Sequence, residues 1–228
     1  MRRQVGYLES RKNSEHNYIE DFIPDVEVYS QIHQDFLCQN DVFSAGAGYE
    51  QFDEFILQDA LEYAIEGNGV TYVVWNAVGE KELIKKDIVA FFTLSVTAIP
   101  YEDRVRVDED DAIETGVLYD TQICGIPALK IDMFAVNEKY QDLFYEFEGE
   151  YLPISAWVMR SIVDYAVDLS NTVLGFKAIF LHALPSAEEF YSTNGFHQIE
   201  ENMRPFHCID SELQAMYLAL KPVHMNCE

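Results

Sequence analysis

The chain has 228 residues, of which 49% are hydrophobic, and its 40 acidic against 15 basic side chains give a formal net charge of −25. This length and apolar content suit one packed domain and exclude a disordered chain. The negative charge repels polyanions, which makes nucleic acid a poor partner. Two interpretations of the charge stay open, namely solubility and attraction for a cationic substrate such as an amine.

Targeting signals and metal-binding patterns are both missing from the sequence. The basic residues near the start are not followed by the apolar stretch of a secretory signal, and no run is long enough to span a bilayer. We therefore expect a cytoplasmic protein with no membrane partner. The four cysteines are widely separated and form neither a CxxC pair nor a zinc-like Cys/His spacing, so we expect no metal site.

The first half of the chain predicts an arm, a helix and a β-hairpin. Residues 1–25 are polar, with mixed charges and no periodicity, and are interpreted as an N-terminal arm that leaves 26–228 as a single domain. Apolar residues recur at helical spacing over 49–65. Two segments rich in β-branched and aromatic residues, 70–78 and 87–99, predict the hairpin, and 100–111 is predicted to be a charged connection.

The second half alternates strands and helices. A strand is predicted over 128–136 after a looser stretch, and a helix over 154–170 is followed by a strand over 176–184. A short helix over 186–193, with Ser186 as its N-cap, and a last strand over 216–220 complete the pattern. Strand, helix, strand is typical of a parallel crossover unit, so the fold class is mixed α/β.

Three segments carry a resemblance to a known family. The sequence FYSTNGF at 190–196 matches a helix ending in FYxxxGF, and LKIDMFAVNEKYQ at 129–141 matches a central strand and its exit, LAVDxxYQ. Both resemble the GNAT superfamily of N-acetyltransferases. FDEFI at 52–56, YVV at 72–74 and FFTLS at 91–95 are similar to the toxin-like branch of that superfamily. The resemblance implies a three-layer α/β fold, with a central mixed sheet flanked by helices on both faces.

The resemblance also implies acetyl-CoA as co-substrate. In the family, exposed backbone amides of the central strand bind the pantetheine arm, and here Phe134, Ala135 and Val136 fall at those positions. Asn194, next to the glycine of the FYxxxGF segment, is assigned to cofactor binding by the same resemblance. Its alternative role is to hold the turn into Gly195.

The pyrophosphate-binding loop departs from the family pattern. Gln141 stands where the loop begins, but residues 142–152 are inserted before Ile154, Ser155 and Ala156, which take the place of the glycine-rich helix entry. Small residues at a helix start would still allow an anion to approach the backbone amides. The insertion is rich in carboxylates, which would repel a diphosphate, so both retention and loss of cofactor binding stay open.

Two residues are candidates for catalysis by this resemblance and by position. Tyr191 aligns with the family tyrosine that protonates the coenzyme A thiolate, although it could simply pack the helix onto the sheet. His182 lies near the carboxyl end of a predicted strand and could act as the base, or could be structural. Asp132 is a weaker candidate for the same role.

The function implied is acetyl transfer from acetyl-CoA to a primary amine of a small cationic molecule or peptide. The alternative is a catalytically inactive GNAT-fold protein that serves in binding or regulation. A third possibility, a tRNA-acetylating toxin, is disfavoured by the net charge. A homodimer is possible, because dimers are common in the superfamily.

Overall fold

The computed structural model describes residues 17–19, 22–40, 43–78, 85–107, 113, 116, 118–147, 149–203 and 212–220. It begins with a short strand β1 (Asn17–Tyr18), strand β2 (Pro24–Val28) and helix α1 (Gln31–Asn40). The helix predicted over 49–65 is confirmed as a continuous helical segment with a π-helical turn in its middle. Its parts are α2 (Glu50–Glu54), the π turn (Phe55–Asp59) and α3 (Ala60–Ile65).

The predicted hairpin is confirmed and is longer than expected. Strand β4 (Lys85–Arg106) pairs antiparallel with both β3 (Val70–Val78) and β5 (Tyr119–Val136). The prediction of a connection beginning at Pro100 was wrong, because β4 pairs with β5 as far as Arg106 opposite Tyr119. Charged residues are tolerated there because much of this two-stranded ribbon faces solvent on both sides. The rest of the predicted connection, 108–111, lies outside the described residues.

The segment inserted after Gln141 is an ordered β-hairpin rather than a loop. Helix α4 (Glu138–Gln141) leads into strands β6 (Leu143–Phe147) and β7 (Glu150–Pro153), and β6 also pairs in parallel with β1. The long helix α5 (Ile154–Thr172) follows directly, which confirms the helix predicted over 154–170.

The predicted strand–helix–strand unit is confirmed, since β5 and α5 are followed by a strand that pairs in parallel with β5. Strand β8 (Ala178–Ala183) is followed by a 3-10 turn (Pro185–Ala187), helix α6 (Glu188–Thr193), β9 (His197–Gln198) and β10 (Gln214–Ala219). Ser186 is not the N-cap that the sequence predicted. The 3-10 turn already begins at Pro185, so Ser186 lies inside the helical segment, and its hydroxyl bonds the Tyr49 hydroxyl instead.

The described strands form a seven-stranded sheet in the order β2-β3-β4-β5-β8-β10-β9, and β5–β8 is its parallel pair. Helix α5 packs on one face around Val158, Met159 and Ile162. The α1 to α3 segment packs on the other face around Leu37, Phe55 and Ile56. The three-layer mixed α/β architecture expected from the sequence is therefore confirmed.

The described part of the segment interpreted as an arm contacts the body of the protein. Phe22 is 4% exposed, and its ring packs edge-on against Tyr145 and Trp157 at centroid distances of 5.0 and 5.3 Å. Strand β2 forms an edge of the large sheet. In the described portion of the chain, no helix is both long and apolar enough to cross a membrane.

Candidate active site

The central strands β5 and β8 separate part-way along their length. They pair in parallel from Ala128 opposite Ala178 to Ile131 opposite Leu181, and beyond that point the ladder ends although both strands continue. A cavity of about 460 Å³ opens where they diverge. Its walls include side chains from both layers of helices, because the gap passes through the sheet.

A β-bulge lies at the point of separation. On the β4 side, Thr93 pairs with Met133 and Leu94 pairs with Ile131, so Asp132 has no partner in β4. A bulge bends its strand and re-aims the extra side chain. Asp132 is thereby placed at the narrow end of the cavity, where neither neighbouring strand pairs with it.

The open edge of β5 presents backbone groups to the cavity. The Asn137 amide donates to the Val89 carbonyl at 2.8 Å and so points toward β4. Because successive residues of a strand point to opposite sides, the backbone of Ala135 also points toward β4, whereas the amides of Phe134 and Val136 point to the open edge. The Val136 carbonyl on that edge accepts a bond from Gln141 Nε2 at 2.9 Å.

Gln141 holds the loop beside this edge. Its side-chain amide also donates to the Ala45 carbonyl at 3.0 Å, so it ties the end of β5 to the segment that precedes α2. Gln141 lines the cavity, but its side-chain amide nitrogen donates to these two backbone carbonyls.

Tyr191 projects from α6 into the same cavity. Its side chain is 8% exposed and packs edge-on against Phe190 and Phe196. Burial raises the pKa of the Tyr191 phenol well above its ordinary value, so the hydroxyl keeps its proton at neutral pH. It can therefore donate a hydrogen bond to an anion that forms in the cavity.

His182 reaches the cavity from β8. Burial and then the nearby Lys130 ammonium lower the pKa of His182, and the Asp132 carboxylate opposes them only in part. The imidazole is therefore neutral at pH 7 and able to accept a proton. Its Nε2 atom is buried and has no hydrogen-bond partner in the described part of the protein.

The N-terminus of α5 forms another part of the cavity wall. The helix starts after Pro153, whose side chain cannot cap it, and its first backbone amides have no intrahelical partners. Ser155 lines the cavity, whereas Ile154 is fully buried in the core and Ala156 is not among the lining residues. The carboxylate residue of the preceding hairpin that is nearest in sequence is Glu150, the first residue of β7. Along an extended strand its Cα lies roughly 13 Å from that of Ile154, where the helix starts.

The structure thus brings most of the predicted site residues together. Those that line the cavity are Phe134, Ala135, Val136, Gln141, Ser155, His182 and Tyr191. Asn194 does not line it, since its side chain donates to the Phe190 carbonyl at 2.8 Å and holds the end of α6. That contact corresponds to the alternative role given to Asn194 above.

Sequence reasoning missed the residues that close the cavity from the other layer. Tyr49 and Phe52 line it from the start of α2, and the Tyr49 hydroxyl lies 3.1 Å from Ser186 Oγ. These two residues are 137 positions apart in the chain. No local pattern could have paired them, because only the three-layer packing brings α2 and the 3-10 turn together.

Comparison with known proteins gives matches in structure alone: no family model and no curated protein sequence matches the chain. A bacterial toxin is 15% identical with a TM-score of 0.56, covering 87% of this chain and 92% of its own. A tyrosine-to-phenylalanine mutant of the AtaT toxin is 14% identical with a TM-score of 0.54, and the match covers 92% of this chain and 96% of the toxin. A mutant of KacT is 12% identical with a TM-score of 0.52, and the match covers 86% of this chain and 95% of KacT.

The protein has a GNAT-like fold. The resemblance drawn from the FYxxxGF segment and the central strand is therefore confirmed at the level of the fold. At 12–15% identity the comparison extends to architecture and no further.

The expected partners of this GNAT-like protein need correction. A small amine or peptide substrate, with nucleic acid excluded, was expected from the net charge. Two proteins with the same fold contradict that expectation, one because it is found with a protein partner and the other because it is found with nucleic acid. AtaT is found bound to the C-terminus of the antitoxin AtaR and acetyl-CoA, with a TM-score of 0.53, and KacTA is found in a complex with DNA, with a TM-score of 0.51. Net charge failed as a guide because it sums over the whole chain and does not describe local surfaces.

Proposed function

We propose that this protein is an acetyl-CoA-dependent N-acetyltransferase. The observation that carries the proposal is the cavity between β5 and β8, which combines an unpaired strand edge, a helix N-terminus, a neutral histidine and a protonated tyrosine. Each of these features answers to one requirement of thioester aminolysis.

The first requirement is to hold the donor. An extended pantetheine arm contains amide groups that can pair with the backbone of Phe134 and with the amide of Val136 in the manner of an added strand. The unpaired amides at the start of α5, near Ser155, suit the diphosphate, because a helix N-terminus carries partial positive charge. In this arrangement Gln141 acts indirectly by fixing the strand edge.

The second requirement is to move protons during the transfer. The acceptor nitrogen attacks the thioester carbonyl carbon, a C–N bond forms, and the C–S bond breaks when the tetrahedral intermediate collapses. His182 takes the proton that the nitrogen loses, since its lowered pKa keeps it neutral at pH 7. Tyr191 stabilises the departing thiolate through a hydrogen bond from its phenol, and the high pKa of Tyr191 favours this role over complete proton donation.

The acceptor in this proposal is the amino group of an aminoacyl-tRNA. The resemblance of residues 52–56 and 91–95 to the toxin-like branch supports it, as does the likeness of the fold to the AtaT and KacT toxins. A charged tRNA carries a free primary amine on its amino acid, which is a far better nucleophile than the exocyclic amines of the bases.

The test is acetyl transfer from radiolabelled acetyl-CoA to bulk aminoacyl-tRNA, with deacylated tRNA and a lysine-rich peptide as matched controls. We expect label in the aminoacyl-tRNA alone, and a rate at least ten times lower for His182→Gln. Label in the peptide but not in the tRNA would contradict the acceptor. No transfer to any amine would contradict the enzyme activity.

A second candidate function is that of a GNAT-fold protein without catalysis, which acts by binding another macromolecule. It is supported by the helix entry, which lacks glycine at Ile154 to Ala156, and by the exposed carboxylate of Asp142 at the base of the inserted hairpin. The two candidates differ in one measurable property, because only the enzyme must bind acetyl-CoA.

A further inference from the structure

Two buried polar atoms at the narrow end of the cavity lack partners. Asp132 Oδ2 and His182 Nε2 are both inaccessible to solvent, and neither has a hydrogen-bond partner among the described residues. The Asp132 side chain is only 7% exposed. Buried polar groups are nearly always paired in proteins, so two orphaned atoms in one cavity indicate a ligand that supplies the missing bonds.

The two side chains come from neighbouring positions of adjacent strands. Asp132 and His182 each follow directly on the last parallel pair, Ile131 with Leu181, and adjacent strands lie about 4.8 Å apart. Leu181 packs into the core on the α5 side, so His182 points to the opposite face of the sheet. On that face, burial, the charge of the Asp132 carboxylate and a hydrogen-bonding interaction with that carboxylate raise the pKa of the Tyr63 hydroxyl of α3. Even so, no partner lies within hydrogen-bond distance of Asp132 Oδ2 in the described part of the protein.

Lys130 occupies only one oxygen of the carboxylate. Its Nζ atom lies 2.5 Å from Asp132 Oδ1, and the lysine side chain is 29% exposed. With a neutral His182, the three side chains carry no net charge, and both orphaned atoms can accept a hydrogen bond. A ligand that satisfies both must present at least two N–H or O–H donors from a small group.

We propose that Asp132 and His182 bind the primary ammonium group of the acceptor, with Asp132 as its anchor and His182 as the group that takes its proton. A primary ammonium has three N–H donors on a single nitrogen, so one can bond Oδ2 and another Nε2 while the substituent points out of the cavity. The inference that the bound ammonium belongs to the acceptor rests on the proposed function.

The same geometry prepares the nitrogen for attack. One proton passes from the ammonium to His182 Nε2 and from the imidazolium to solvent. This leaves a neutral amine with a free electron pair and a neutral imidazole, which accepts the second proton of the nitrogen as the C–N bond forms. The positive charge of Lys130 disfavours the protonated form of the amine and also that of His182, whose pKa it lowers, so neither nitrogen holds the proton strongly. The anchor and the base thus act on one nitrogen from two strands.

Methylammonium is the smallest probe of such a site. In protein with ¹³C-labelled histidine, the His182 ring signal, identified by its loss in His182→Gln, should shift and saturate as methylammonium chloride is added. Potassium chloride at equal ionic strength and ethanol serve as controls, because the first lacks N–H donors and the second lacks charge. Asp132→Asn should raise the half-saturation concentration for methylammonium at least tenfold. Asp164→Asn, which removes one charge at an exposed position of α5, should leave that concentration unchanged.

The outcomes separate this inference from the proposed function. Saturation by methylammonium that is lost in Asp132→Asn supports the ammonium site, even if acetyl-CoA does not bind and the proposed function fails. No shift with methylammonium, the same shift with potassium, or an unchanged response in Asp132→Asn overturns the ammonium site, even if acetyl-CoA binds and acetyl transfer proceeds.

Discussion

Asp132 and His182 stand side by side at the point where β5 and β8 cease to pair, immediately beyond Ile131 and Leu181. One is the unpaired residue of a bulge, and the other sits on the strand that diverges from it. The gap between the strands exposes the edge of β5 to a cofactor. The same separation places the Asp132 carboxylate and the His182 imidazole at the narrow end of the gap. Binding and chemistry therefore share one structural origin.

The phenol of Tyr191 can be tested without disturbing its packing. Tyr191→Phe removes only the hydroxyl and leaves the ring contacts with Phe190 and Phe196. We expect turnover to fall about 10²-fold, the lower range for a proton-handling group, because the departing thiolate loses its hydrogen bond. Acetyl-CoA affinity, measured by calorimetry, should stay within twofold of the native value. Native turnover in the variant would remove Tyr191 from the mechanism.

The role of His182 predicts a specific pH profile. Because burial lowers its pKa below the ordinary value of 6.5, the neutral and active form persists as the pH falls to about 6.5 and is lost below it. The profile of kcat/KM for the acceptor should therefore contain an acidic limb with a midpoint below 6.5 in the native protein. His182→Gln should lack that limb while keeping the limb that comes from the acceptor's own amine.

The same lowered pKa has a consequence for folding. The unfolded chain binds a proton at His182 at a higher pH than the native protein does, so this residue supports the native state above about pH 6.5. Its contribution is lost progressively as the pH falls through the lowered pKa. Denaturant titrations at pH 7.5 and pH 5.5 should show a smaller decrease in unfolding free energy for His182→Gln than for the native protein. An equal decrease in both would contradict the lowered pKa.

The start of α5 offers a variant that separates binding from stability. Ser155→Asp places a carboxylate in the first turn, where the helix dipole stabilises it by about 0.3–1 kcal/mol. The same charge repels a diphosphate at that site, so we expect the Kd for acetyl-CoA to rise at least tenfold, or about 1.4 kcal/mol. Ser155→Ala, which keeps the small size, should bind within twofold of the native value.

Either of two results would contradict this view of the helix start. One is native affinity in Ser155→Asp, which would mean that the diphosphate lies elsewhere. The other is an equal loss in Ser155→Ala, which would point to the serine hydroxyl rather than to the backbone and its charge. Thermal melting distinguishes both from unfolding, because the midpoint should be unchanged or higher in Ser155→Asp.

The segment around Phe22 is expected to contribute to the stability of the domain. Phe22 is 4% exposed between Tyr145 and Trp157, so Phe22→Ala should lower the unfolding free energy by about 3–5 kcal/mol. Ile23→Ala is the matched control, since Ile23 is 58% exposed and should change stability by less than about 0.5 kcal/mol. Equal effects in the two variants would show that the segment does not pack as described.

The sequence predicted the parts of the fold that follow a regular period. The helix over 154–170 and the strand over 128–136 were found because their apolar residues recur at the spacing of their own element. The end of β4 was missed because Pro100 and the charged residues after it are typical of a connection, although Arg104 to Val107 alternate polar and apolar residues as a strand does. The inserted hairpin was missed because four of the nine residues from Asp142 to Glu150 are carboxylates, which are typical of a loop, although Leu143 to Phe147 is rich in strand-forming aromatic residues.

The site was predictable only where a local motif carried it. Tyr191 and the strand from Phe134 to Val136 were found through such motifs, and both lie in the cavity. Asp132 was predicted only as a weaker candidate for the base, because the bulge that places it in the cavity depends on the pairing partner and not on the strand's own sequence. Tyr49 was out of reach because its contact with Ser186 depends on the packing of distant layers.

Calorimetric titration of the purified protein with acetyl-CoA tests the proposed enzyme most directly. We expect saturable binding of one molecule per chain with a micromolar Kd, retained in Tyr191→Phe and weakened in Ser155→Asp. At a hundredfold excess over Kd, the ligand should also stabilise the fold by about 2.7 kcal/mol. No heat of binding and no thermal stabilisation at millimolar acetyl-CoA would contradict the assignment and would leave a GNAT-like fold that acts by binding alone.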